Sequence, residues 1–67
     1  MNKINEIEVA LAIVRATLGS SLSNIEYSEI VNRHFNLDST EEDINFLFEP
    51  NVKSDIEDIE LIYNNLT

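Results

Sequence analysis

The stretch Ile4–Leu18, reading INEIEVALAIVRATL, constrains this chain more than any other. At about 100° per residue, Ile4, Ile7, Leu11, Val14 and Leu18 fall on one narrow stripe, spaced 3, 4, 3, 4, the seam of a packed helix. Val9, Ile13 and Ala16 fall on the opposite side, with Ala12 beside them. A surface helix needs one apolar face and this one has two. It is expected to be the central helix of a bundle, with Val9, Ile13 and Ala16 as a candidate oligomer contact.

Length sharpens that expectation. A chain of 67 residues is one domain, 1–67, and a domain this small buries only about 60% of its unfolded surface. No cysteine is present to staple it, so stability rests on apolar packing, on oligomerisation or on a partner. Lys3 is followed by Glu6 and Glu8 rather than by an uncharged run, so no secretory leader is expected. The longest apolar run, Val9 to Val14, is far too short for a membrane span. The expected setting is the cytoplasm, and the abundance of Asn and Ile hints at an AT-rich genome, as in many bacteria and their phages.

Local signals divide the remainder into three more helices. Helix 1 runs from Asn2 or Lys3 to Leu18, and Gly19, the only glycine, stands where a C-terminal cap belongs. Ser23 with Glu26 matches a capping box, with Leu22 and Tyr27 at the flanking staple positions. Tyr27, Ile30, Val31, His34 and Phe35 then share one face, placing His34 on the buried side, and Asn36 suits a left-handed end. Asp38, Ser39 or Thr40 caps helix 3, with Ser39 and Glu42 read as a second capping box. Ile44, Leu47 and Phe48 are its inward face, and Pro50 stops it. After a turn at 51–53 with Val52 tucked inward, Ser54 and Glu57 read as a third box. Helix 4 follows from Asp55 to Asn65, with Ile56, Ile59, Ile62, Tyr63 and Leu66 inward and Asp58, Glu60 and Leu61 outward. The fold class expected is all-α, a small bundle of four short helices.

Residues 29–47, EIVNRHFNLDSTEEDINFL, resemble a helix-turn-helix: the branched pair Ile30–Val31, Phe35 closing the first helix, Leu37 in the turn, and Ile44 and Leu47 fixing the second helix. The turn lacks the usual glycine. The second helix opens with Glu41, Glu42 and Asp43 where a DNA reader carries Arg, Lys, Gln or Asn. Such an element meets protein rather than DNA. Asp38 to Glu49 has oxygen side chains at several calcium-loop positions, but Asp43 stands where that loop requires glycine. Asp38–Ser39 at a helix start resembles the phosphopantetheine attachment triplet of carrier proteins, which would make Ser39 the modified residue. Thr40 stands where that triplet has Leu, and a cap role for Ser39 is the stronger reading. His34 is the only histidine, so with no cysteine a zinc site is not expected. No nucleophile elbow or phosphate loop is present. Neither enzymatic activity nor a cofactor is expected.

The remaining signal is charge. Thirteen acids oppose four bases, net −9. Residues 1–33 are nearly balanced, while residues 34–67 hold nine acids against Lys53 alone. Phosphate and anionic membrane surfaces would repel such a chain, whereas a basic protein surface would attract it. In size, helicity and charge the chain resembles phage-encoded nucleic-acid mimics that block host nucleases or polymerases, and immunity proteins that neutralise basic nuclease toxins. Those resemblances imply a non-catalytic inhibitor or regulator that docks on a basic, nucleic-acid-handling partner without binding nucleic acid itself. Glu41, Glu42, Asp43, Asp55, Glu57, Asp58 and Glu60 would supply the field, and Leu61 or Phe46 an apolar anchor. The alternative is a structural or adaptor protein forming a homodimer through helix 1, with the carrier-like reading third.

Overall fold

A computed structural model describes residues 3–49 and 55–66. Those residues form four helices: α1 Lys3–Leu18, α2 Asn24–Phe35, α3 Glu41–Leu47 and α4 Ile56–Leu66. The described residues contain no strand. Pro50, the turn with Val52, and the Ser54 half of the third expected capping box lie outside them.

α1 is the hub. It packs against all three other helices, and α2 also packs on α3. Among the described residues α4 touches neither α2 nor α3. The stripe Ile7, Leu11 and Val14 is buried as expected, together with Ala10 and Ala12. Ala12 lies off that stripe, so α1 is covered on two sides. Leu18, expected inward, is exposed, because α1 ends there and the chain turns away at Gly19 (φ +91°). Tyr27, Val31, Ile44, Leu47 and Ile56 complete the core, with Ile4, Leu22, Ile30, Leu37, Phe48 and Ile59 packed around it.

Two contacts fix the direction of α4. The Asp55 N–H donates to Glu8 Oε2 (3.3 Å), and Arg15 Nη1 lies 3.7 Å from Glu60 Oε2. Moving from Glu8 to Arg15 on α1 thus accompanies moving from Asp55 to Glu60 on α4, so the two helices run in the same sense. Only Ile56 of α4 is fully buried, while Ile59 and Tyr63 are half-buried. Ile62 and Leu66, expected inward, are exposed. A helix supported by one neighbour buries a narrow strip, and the wider apolar face of α4 exceeds it.

The ends of α2 and α3 are satisfied by short side chains. Ser23 caps α2, its Oγ accepting the Glu26 N–H while the Ser23 N–H donates to Glu26 Oε1. Asn36 closes α2 at φ 55°, ψ 47°, a conformation Asn tolerates better than most residues. Thr40, not Ser39, caps α3: Thr40 N–H donates to Asp43 Oδ2 (3.0 Å) and Asp43 N–H to Thr40 Oγ1 (3.2 Å).

Ser39 has a different task. It is buried, and Asn32 of α2 clamps its backbone from both sides. Asn32 Nδ2 donates to the Ser39 carbonyl (2.9 Å), and the Ser39 N–H donates to Asn32 Oδ1. Ser28 Oγ donates to the same carbonyl (2.9 Å), and the Ser39 hydroxyl reaches Asn32 Oδ1 (2.7 Å). The turn at 36–40 is therefore pinned to α2 by polar contacts. No buried side-chain donor or acceptor among the described residues lacks a partner.

A second row of contacts joins all four helices. The Arg15 guanidinium stands 5.2 Å from the Phe48 ring centroid and pairs with Glu60. Phe48 meets Tyr27 edge-on, with centroids 5.8 Å apart. The Tyr27 hydroxyl donates to the Gly19 carbonyl at the end of α1 (2.8 Å).

Candidate functional site

The acidic side chains were expected to form one surface across the third and fourth helices. They stand in two arrays, one on α3 and one on α4, helices that both lean on α1 and have no contact with each other among the described residues. The first array is the opening turn of α3. Glu41 and Glu42 are exposed, while Asp43 is half-buried and held by the Thr40 cap. The second is the opening turn of α4, with Asp55, Glu57 and Asp58 all exposed. First turns are where the helix dipole favours carboxylates, by about 0.3–1 kcal/mol each. Position along the helix thus explains why a helix tolerates the acids there, and exposure leaves them available to a partner.

Glu60 stands apart. It was expected outward with Asp58, but it is half-buried and paired with Arg15. Its charge is answered within the chain, so its share of an external field is small. The carboxylates of Glu41, Glu42, Glu49, Glu57 and Asp58 carry no ion pair.

Leu61 is 65% exposed. It follows Glu57 by four residues and Asp58 by three, so all three occupy neighbouring positions on one side of α4. An apolar side chain flanked by two unpaired carboxylates suits a partner that offers cations around an apolar depression. Phe46 is exposed on α3.

Val9, Ile13 and Ala16 keep to one side of α1; Val9 is exposed and the other two are half-buried. His34, expected on the buried side of α2, is exposed. It lines a groove of about 310 Å³ with Ile13, Val14, Thr17, Leu18, Ile30 and Phe35. A second cleft of about 230 Å³ is lined by Arg15, Ser20, Leu22, Asn24, Tyr27 and Phe48. Among the described residues no three His, Asp or Glu side chains converge as a metal site. The Ser39 hydroxyl faces α2 and is engaged there, so it is not presented for attachment of a prosthetic arm. No described helix is long and apolar enough to cross a membrane.

Sequence reasoning missed two groups of residues. Arg15, Phe48 and Tyr27 gave no signal as a row, because each belongs to a different helix. Ile62 and Leu66 looked like core, and the adjacent apolar pair Leu61–Ile62 was the available hint that α4 carries more apolar surface than one neighbour covers. No protein-family model, no curated protein and no solved structure matches this chain.

Proposed function

We propose that the protein is a non-catalytic inhibitor or regulator whose acidic surface docks on a basic, nucleic-acid-binding site of a partner protein. The observation that supports this reading is the set of exposed, unpaired carboxylates at Glu41, Glu42, Glu57 and Asp58. Glu41 and Glu42, and likewise Glu57 and Asp58, are consecutive residues in the first turn of their helices, so each pair presents two negative charges on one turn. Leu61, between Glu57 and Asp58, serves as the apolar anchor of the contact. The working surface is then the first turn and a half of α4, with the first turn of α3 adding to the long-range field.

The test uses the full chain immobilised at low ionic strength and exposed to extract of the source cell. Bound proteins are eluted by salt, identified, and assayed for competition with DNA. The expected partner is basic, releases DNA when the protein is added, and loses affinity steeply as salt rises. Glu57→Lys combined with Asp58→Lys should weaken binding by more than tenfold, on the order of 1.4 kcal/mol or more. An affinity that does not change between low and high salt would sink the proposal.

A further inference from the structure

The side of the molecule away from α3 carries exposed apolar side chains that the acidic reading does not use. Their position follows from helix geometry. α1 and α4 run in the same sense, and the Arg15–Glu60 pair marks one edge of their contact. At about 100° per residue, the opposite edge is formed by Ala16, Val9 and Ile13 on α1 and by Ile62 and Leu66 on α4. On the far flank of Ile13 lies the groove closed by Ile30, His34 and Phe35 of α2. α1 thus stands between α4 and α2, and the apolar side chains on this side are interspersed with exposed Asn5, Glu6 and Thr17. Ile62 is 60% exposed, Leu66 80%, Leu18 54% and Val9 36%. The Thr17 hydroxyl, which could have wetted the groove, donates to the Ile13 carbonyl of its own helix (2.8 Å).

We propose that this face binds a second copy of the chain, with the two α1 helices antiparallel across a two-fold axis. Isolated apolar residues need no explanation, but several on one side of a small domain do. Charge supports that occupant and sets the direction. Glu6 precedes Val9 by three residues at the amino-terminal end of the face, and Arg33, exposed, directly precedes His34, which lines the groove at the other end. Neither side chain has a partner among the described residues. Antiparallel copies bring each Glu6 towards the Arg33 of its partner, whereas copies aligned in the same sense would set Glu6 against Glu6. Glu41, Glu42, Glu57 and Leu61 lie off the face and Asp58, four residues before Ile62, stands at its border, so a dimer displays most of both acidic arrays twice.

The experiment is sedimentation equilibrium of the full chain from low-micromolar to near-millimolar concentration, at low and at high salt. The expected result is a mass rising from 7.7 kDa towards twice that value. Association should tighten as salt screens two chains of net charge −9. That is the opposite sign from docking on a basic partner, so the two proposals fail separately. Ile62→Glu should weaken the dimer by roughly tenfold or more, as for a residue central to an interface. Leu61→Glu, next to it but off the face, should leave it unchanged. Ile62 is exposed, so its variant remains informative even if Ile13→Glu, which should act alike, fails to fold by circular dichroism. Glu6→Arg and Arg33→Glu should each weaken association, and the two together in one chain should restore it. A wild type that stays monomeric throughout overturns the proposal, as does a Leu61→Glu effect equal to that of Ile62→Glu. Failure of the double charge swap to restore association overturns the antiparallel arrangement.

Discussion

The α2–α3 pair and α4 are held in opposite ways. α2 and α3 each begin with a reciprocal cap, α2 ends in a left-handed Asn, and the turn between them is clamped by Asn32 and Ser28. Their contacts are short in sequence and rich in hydrogen bonds. Among the described residues α4 leans on α1 alone, buries Ile56 fully, and leaves Leu61, Ile62 and Leu66 exposed. The first pair is specified largely by its own residues. The last helix depends on a surface built far away in the chain, and it keeps apolar area to spare.

That difference should show most strongly in the core. Ile44→Ala and Ile56→Ala both remove a fully buried isoleucine, and each should cost about 2–5 kcal/mol. Native-state hydrogen exchange should separate them. Ile44→Ala should lower protection throughout the chain, whereas Ile56→Ala should lower it chiefly in α4. Equal loss of protection in α2 after Ile56→Ala would show that α4 is not separately held. Next in size is Asn32→Ala, which strips the Ser39 N–H of its acceptor in a buried setting and should cost about 1–3 kcal/mol in urea unfolding. A cost no larger than that of a surface substitution would mean the clamp adds little.

Removing a cap should cost less. Ser23→Ala and Thr40→Ala should each lose about 1 kcal/mol, and their effects should nearly add if the two helix starts are independent. Ser39→Ala removes the buried hydroxyl contacts with Ser28 and Asn32 and should cost about 1 kcal/mol in urea unfolding. The smallest effect belongs to α4. Glu60→Gln should change stability by less than about 1 kcal/mol, and less still at high salt. A larger, salt-insensitive loss would show that Arg15 holds α4 more firmly than its partly exposed geometry implies.

How far the sequence could be read tracks the same division. Ser23–Glu26, Asn36 and the stripe Ile7, Leu11, Val14 were readable because each signal lies within a turn or two of the chain. The cap of α3 was not, since Ser39–Glu42 and Thr40–Asp43 fit the same spacing. What separates them is a tertiary contact, Ser39 with Ser28 and Asn32, whose only local trace is two polar residues four apart on α2. Ala10 escaped notice, and Ala12 was grouped with the second face rather than the core, because small side chains mark close helix approach without announcing it by hydrophobicity. On α4, periodicity located the apolar face but not its coverage, which depends on how many helices stand nearby. The acidic residues were visible from composition, but their division into two arrays follows from α3 and α4 each leaning on α1, and no spacing rule contains that.

The pairing of α1 with α4 also has a consequence for synthesis. On the ribosome α1 emerges first, and α2 and α3 follow soon enough to cover Ile7, Leu11 and Val14. The side of α1 around Ala12 must wait until everything up to α4 has left the exit tunnel. Through that interval the nascent chain presents a bare helical flank, and its protection is a matter of elongation rate as much as of sequence.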